Sequence, residues 1–253
     1  MPAESKRIVR LAAITHELRW EYRTTCSNES FNLETATAYI EHRTKRGLEL
    51  MSAAAKAGAE LVLGPEYFCG SEAFMTTGEV KAQLAGSDGQ PALQDLCHHA
   101  SSHQCALSAS WNSSINGHVV QAGFLVDGRG ELAGRHIKHN SIRPGSDIEK
   151  KLDVFDLDIA RTGMLICADV TDDPQNAAAM ASNGMELLLV PGVGFSGQNW
   201  RHMIISRAID IGCPIVYSDT GRALIVSADG KVAAEVVAPE SFIVADVEIG
   251  CRR

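Results

Sequence analysis

Three residues of different chemistry each close a short apolar run. Cys167 ends Gly163-Met-Leu-Ile-Cys167, Glu66 ends Leu61-Val-Leu-Gly-Pro-Glu66, and Lys138 ends Gly134-Arg-His-Ile-Lys138. Strand ends of open α/β sheets are where such folds place their chemistry. A thiol, a carboxylate and an amine delivered to such ends are the parts of an acyl-transfer site. A cysteine thiol with its ordinary pKa of about 8.5 is a poor nucleophile and needs a base or a positive field. A carboxylate in a low-dielectric pocket can take that proton and later protonate a leaving amine. An ammonium nearby stabilises the oxyanion of the tetrahedral state. Each residue alone also has a plainer reading: a packed cysteine, a solvated strand end, a surface lysine. What singles out Cys167 is the abrupt turn to Asp169, Asp172 and Asp173 after an apolar run. A core does not normally continue into three carboxylates. Cys105 and Cys213, beside apolar residues without such a cluster, read as packing.

Histidine is the usual partner of a nucleophilic cysteine. His136 and His139 flank Lys138, and His98, His99 and His103 cluster loosely, but nothing in the sequence positions one of them against a thiol. Neither a P-loop nor a Gly-x-Gly-x-x-Gly fingerprint occurs.

The elements that must hold these residues follow from periodicity. Ile8–Ile14 reads as a central strand and Glu17–Ser30 as loop. Phe31–Ala57 reads as an amphipathic helix, weak near Arg43–Gly47, with Gly58 at its C-cap. Leu61–Leu63, Cys105–Ser110, Leu187–Val190, Pro214–Tyr217 and Phe242–Val247 read as strands. Pro91–Ser102, Gln175–Ser182 and Trp200–Gly212 read as helices. Turns at Asp127–Gly130, Asp158–Arg161 and Ala228–Gly230 join further strand pairs into hairpins. Strand-helix-strand units alternating with hairpins predict mixed sheets. The expected fold is α/β: one domain over residues 1–253, a four-layer α-β-β-α sandwich of two mixed sheets.

Composition narrows the function. With 253 residues, 45% apolar and 21% charged, the chain is ordinary for a globular domain. Its formal charge of −8, without a basic stripe, argues against nucleic acid. No apolar run reaches the roughly 18 residues of a membrane span, and the start lacks a signal-peptide core, so a cytoplasmic location is expected. Seven cysteines, an odd number with no Cys-x-x-Cys pair, argue against a disulfide framework and a thiolate metal cluster.

Taken together and in order, the three segments resemble the motifs of the nitrilase superfamily of carbon-nitrogen hydrolases, and the resemblance runs from about Ile8 to Ile249. It implies Glu66 as general base, Lys138 as oxyanion stabiliser and Cys167 as nucleophile, with the Ala168 N–H completing the oxyanion hole. It also implies the sandwich fold, a covalent intermediate, no metal or organic cofactor, and a homodimer built on the helices near 175–183 and 199–212. The substrate class implied is a small amide or N-carbamoyl compound; nitrile hydrolysis and a noncatalytic binding protein on the same fold are the alternatives. The chain departs from the family in its Ala168, an often aromatic position, and in the acid-free loop after Lys138. Carbamoyl-acid hydrolases of the family often carry an arginine three or four residues after the cysteine; here those positions are Val170 and Thr171. Substrate contacts are therefore expected from Arg143, Asp169, Asp172, Phe195 and Trp200. With the three acids after the cysteine, a neutral or cationic amide is expected.

Overall fold

Burial on both faces explains the first strand. In β1 (Arg7–His16), Leu11 and Ala13 point to one side and Ala12 and Ile14 to the other, and all four are buried. The computed structural model describes residues 7–18, 31–74, 78–85, 91–194 and 199–249. β1 pairs in parallel with β2 (Leu61–Leu63), which pairs in parallel with β3 (Ala106–Ile115). Antiparallel β4 (His118–Val126) and β5 (Leu132–Ile137) extend one side, and antiparallel β12 (Glu240–Ile249) closes the other. The sheet order is β12-β1-β2-β3-β4-β5.

The second sheet repeats this plan. Its order is β11-β10-β9-β8-β7-β6, formed by β6 (Val154–Asp156), β7 (Arg161–Met164), β8 (Leu187–Pro191), β9 (Ile215–Ser218), β10 (Arg222–Val226) and β11 (Val232–Val237). β7, β8 and β9 run parallel, and the outer pairings are antiparallel.

Leu11, Leu61, Leu63, Met164, Leu189 and Ile225 fill the space between the sheets. Outside the first sheet lie α1 (Leu33–Lys56) and α3 (Pro91–His103), packed through Met51 and Leu96 onto Trp111 and Phe124; a short α2 (Gly78–Leu84) precedes α3. Outside the second sheet lie α5 (Pro174–Ser182) and α6 (Asn199–Ile211), packed through Met180 and Ile204 onto Leu188 and Tyr217. This is the expected four-layer α-β-β-α sandwich.

Two local differences bear on the site. The weak middle of α1 stays helical because its polar and small residues point inward. Arg43 is buried and its Nη2 donates to the His16 carbonyl at 2.7 Å. Gly47 lets the Phe68 ring approach so closely that a Cβ would lie 2.6 Å from it. Second, β3 runs five residues past Ser110 and turns at Asn116-Gly117, both at positive φ. Asn-Gly between extended residues is a strong hairpin signal; the polar run Asn112-Ser-Ser114 masks the strand that leads to it. Cys213 is buried as expected, but it is disulfide-bonded rather than a plain packing thiol. No helix among the described residues is long and apolar enough to cross a membrane.

Candidate active site

Each of the three chemical residues leaves its own strand at the same end of the sandwich. Glu66 follows β2 through Gly64-Pro65. The Gly64 N–H donates to the Ser108 carbonyl at 2.7 Å, and the Phe68 N–H donates to that of Ser110 at 2.8 Å. Between them the Glu66 N–H donates across to the second sheet, to the Gly192 carbonyl at 3.2 Å. Lys138 follows β5, its N–H donating to the Gln121 carbonyl at 2.9 Å. Cys167 follows β7, its N–H donating to the Pro191 carbonyl at 2.9 Å. Three strand exits, cross-braced between sheets, therefore fix the three side chains.

The side chains meet. Lys138 Nζ donates to Glu66 Oε1 at 2.7 Å, with Glu66 0% and Lys138 8% exposed. Glu66 Oε2 is buried and has no hydrogen-bond partner among the described residues. Buried polar atoms without partners are rare in folded proteins, so such an acceptor calls for an explanation. A proton arriving from the thiol supplies one. Burial pushes the Glu66 carboxyl above the ordinary carboxylate range, while Lys138 and then Cys167 pull it back. Burial works to lower Lys138, but Glu66 and Cys167 outweigh it, and its pKa stands above the usual lysine value. Burial first, and then the Glu66 carboxylate, push the Cys167 thiol up to about 12, against the pull of Lys138. At neutral pH the sulfur therefore rests as a thiol rather than as a preformed thiolate.

Cys167 has φ 50° and ψ −108°, a left-handed conformation outside a glycine. Such backbone costs about 1–3 kcal/mol and survives where surroundings impose it. The turn into the single-turn α4 (Ala168–Thr171) imposes it here: the Val170 N–H donates to the Cys167 carbonyl at 3.1 Å and the Asp169 N–H to that of Ile166 at 3.0 Å. Within the described residues the Ala168 N–H has no acceptor, which leaves it available beside the sulfur. Tyr67, next to Glu66, is also at positive φ, 59°.

The remaining expected contacts divide. Asp169 is buried and fully engaged. Its Oδ2 accepts from His136 Nε2 at 2.9 Å and the Ile166 N–H at 3.2 Å, and its Oδ1 from the His139 N–H at 3.0 Å. Both oxygens are engaged, so it ties the cysteine turn to the lysine turn, a structural role that the sequence did not suggest. Asp172 is exposed and accepts from Thr171 Oγ1 at 2.9 Å; Asp173 caps α5 by accepting from the Gln175 N–H at 3.0 Å. Trp200 packs inward instead: its indole is buried and stacks on Tyr217 with centroids 4.9 Å apart, and the Arg222 guanidinium lies over it. Phe195 lies outside the described residues. Arg143 alone of the expected contacts lines the cavity that Lys138 opens into, about 250 Å³ in volume.

Sequence reasoning missed Glu72, Lys81 and Gln121 in the wall of that cavity. Glu72 was legible as a lone acid in Cys69-Gly-Ser-Glu-Ala-Phe74. Gln121 carried no signal, since a polar residue in an alternating strand reads as solvent-facing. A second cavity, about 380 Å³ and lined by Arg135, His136, Asp147 and Glu149, is larger but holds none of the three chemical residues.

Comparison with known proteins finds relatives in sequence and in fold. A hydrolase encoded in the pqqF 5' region of Pseudomonas protegens is 24% identical over 211 residues, 75% of this chain and 72% of that protein. Among solved structures, an amidase from Nesterenkonia sp. superposes with a TM-score of 0.74 at 21% identity, covering 95% of this chain and 90% of that one. A variant of the AN1 amidase, carrying the Michael adduct of acrylamide at its active-site cysteine, superposes with the same score and identity over 94% and 92%. These likenesses establish a shared fold. The profile described as carbon-nitrogen hydrolase matches residues 22–250, nearly the whole length, and on that match the chain belongs to the carbon-nitrogen hydrolase family.

Proposed function

We propose that this protein hydrolyses the carbon-nitrogen bond of a small amide or N-carbamoyl compound through a covalent acyl-enzyme on Cys167. The observation that carries this reading is the buried Glu66–Lys138 pair at 2.7 Å whose second carboxylate oxygen is left without a partner beside the cysteine. Glu66 takes the thiol proton as the sulfur attacks the carbonyl carbon. The Lys138 ammonium and the Ala168 N–H hold the oxyanion. Glu66 then returns the proton to the departing nitrogen, and the C–N bond breaks to leave a thioester and free ammonia or amine. Water adds next, losing its proton to Glu66, and the second tetrahedral state collapses to the acid and the regenerated thiol. From an N-carbamoyl compound the first step releases the parent amine and leaves an S-carbamoyl enzyme, and its hydrolysis gives carbamic acid, which breaks down to carbon dioxide and ammonia. Concerted transfer suits a thiol held near 12, because Glu66 needs to accept the proton only as the new bond forms.

A homodimer built on α5 and α6, in a cytoplasmic protein, completes the reading, and light scattering of the purified chain tests its assembly. The principal test is ammonia release from a panel of small amides, with mass spectrometry of the quenched enzyme. An added acyl mass on Cys167, absent in Cys167→Ala, supports the reading. Comparable turnover of nitriles would favour nitrile hydrolysis. Inert amides together with no preferential labelling of Cys167 over the other free cysteines would favour a binding protein.

A further inference from the structure

The cavity beside Lys138 is polar in an ordered way. On its inner wall stand two side chains, Glu72 at 5% and Gln121 at 3% exposure. Glu72 Oε1 accepts from the Asn112 N–H at 3.1 Å, and Gln121 Nε2 donates to Ser110 Oγ at 3.3 Å. The other oxygen of each, Glu72 Oε2 and Gln121 Oε1, is buried without a hydrogen-bond partner. Two unfilled acceptors next to an oxyanion-stabilising lysine match one ligand group: a carboxamide whose oxygen faces Lys138 and whose N–H bonds face the acceptors.

The cavity's outer wall carries Lys81 and Arg143, both exposed, and neither side chain makes a hydrogen bond or ion pair with a described residue. The other charges facing this space largely cancel. Glu66 offsets Lys138 at 2.7 Å. Burial raises Glu72 to about 7, which favours its uncharged form over that of an ordinary carboxyl. Net positive charge is left at the mouth. The acids that suggested a neutral or cationic amide are used elsewhere: Asp169 in the clamp, Asp172 on Thr171 and Asp173 at the α5 cap.

Resting on the amide-hydrolase reading above, we propose that the substrate carries a carboxylate at the end opposite the scissile carboxamide, and that Lys81 and Arg143 hold it. The substrate class is a short monoamide of a dicarboxylic acid, or an N-carbamoyl acid of similar length. The cavity, at about 250 Å³, is smaller than the roughly 300–1,000 Å³ of most small-molecule pockets, which suits a molecule of only a few carbons. An arginine fork gives the carboxylate two parallel donors and so sets orientation as well as affinity.

The test compares three amides of similar length: succinamate, pentanamide and 4-aminobutanamide, which are anionic, neutral and cationic. The intact enzyme is expected to show kcat/KM for succinamate at least tenfold above that for pentanamide, with 4-aminobutanamide lowest and the preference falling as salt rises. The succinamate-to-pentanamide ratio is expected to fall about tenfold in the Lys81→Ala/Arg143→Ala double variant and to recover in part in Arg143→Lys. A general loss of folding would lower both substrates together and leave the ratio in place. An unchanged ratio in the double variant, or a preference for either other amide, overturns the proposal. Calorimetric titration of Cys167→Ala with succinamate and pentanamide separates the two readings. Tighter succinamate binding without turnover in the intact enzyme would retain this subsite and reject the hydrolase. Turnover without that preference would do the reverse.

Discussion

Removing Lys138 leaves a fully buried carboxylate without its only hydrogen-bonded cation. In Lys138→Met the side chain keeps its length but loses the ammonium 2.7 Å from Glu66 Oε1. Breaking a buried pair by deleting one partner costs about 3–5 kcal/mol, because the surviving charge stays desolvated. Replacing both partners with neutral residues of similar shape costs far less. The double variant Glu66→Gln/Lys138→Met is therefore expected within about 1 kcal/mol of the wild type, although Lys138→Met alone loses about 3 kcal/mol or more at pH 7. The pH dependence follows from sign. Without Lys138, burial raises the folded-state pKa of Glu66 further above its unfolded value, so the folded state holds the proton more tightly. Stability in the single variant should then be highest at low pH and fall as pH rises through the folded pKa. Urea unfolding at pH 5, 7 and 8 with these variants measures every term. A Lys138→Met cost inside the ±0.5 kcal/mol typical of surface substitutions, or strict additivity in the double variant, would refute the buried-pair argument.

Other expectations follow from the same geometry. Alkylation of Cys167 by iodoacetamide should keep accelerating with pH through 9, because a thiol pushed up to about 12 has no thiolate plateau near neutrality; peptide mapping at several pH values reads this, and a plateau below pH 7 would contradict it. Cys167→Gly should be more stable than Cys167→Ala by about 0.5–2 kcal/mol in thermal melts, since only glycine relieves φ 50° without strain. Asp169→Asn should cost about 1–3 kcal/mol and lower kcat more than it raises KM, because the amide cannot accept all three donors and the two catalytic turns lose their tie. Gly47→Ala should cost about 1–3 kcal/mol, as its Cβ would press on the Phe68 ring two residues from Glu66; chemical denaturation checks it.

The sandwich was readable because its central strands are buried on both faces and so announce themselves as unbroken apolar runs, as in Leu61–Leu63 and Leu187–Val190. Glu66 and Lys138 stand out in the sequence because each ends an apolar run on a charged group, and Cys167 because three acids follow it closely. What stayed hidden depends on partners far away in the chain. Asp169 looks like a solvent-facing acid until His136 and the His139 N–H reach it from another strand exit. Trp200 looks like a pocket aromatic until Tyr217 stacks on it. Arg43 looks like a flaw in a helix face until the His16 carbonyl accepts its proton. Polar residues in the interior are specified by tertiary partners, and linear periodicity is blind to those.

Pairing of the first strand with the last has a bearing on how the molecule comes into being. Arg7 lies opposite Ile249 and His16 opposite Glu240, so β12 shields the β1 border of the layer that carries both the acid and the amine. During synthesis that border waits bare until nearly every other element has emerged, a raw ribbon edge of the sort that invites wrong partners. The layer that carries the acid and the amine is therefore closed by a strand that crosses over from β11 of the other sheet, a latch hung on the opposite frame.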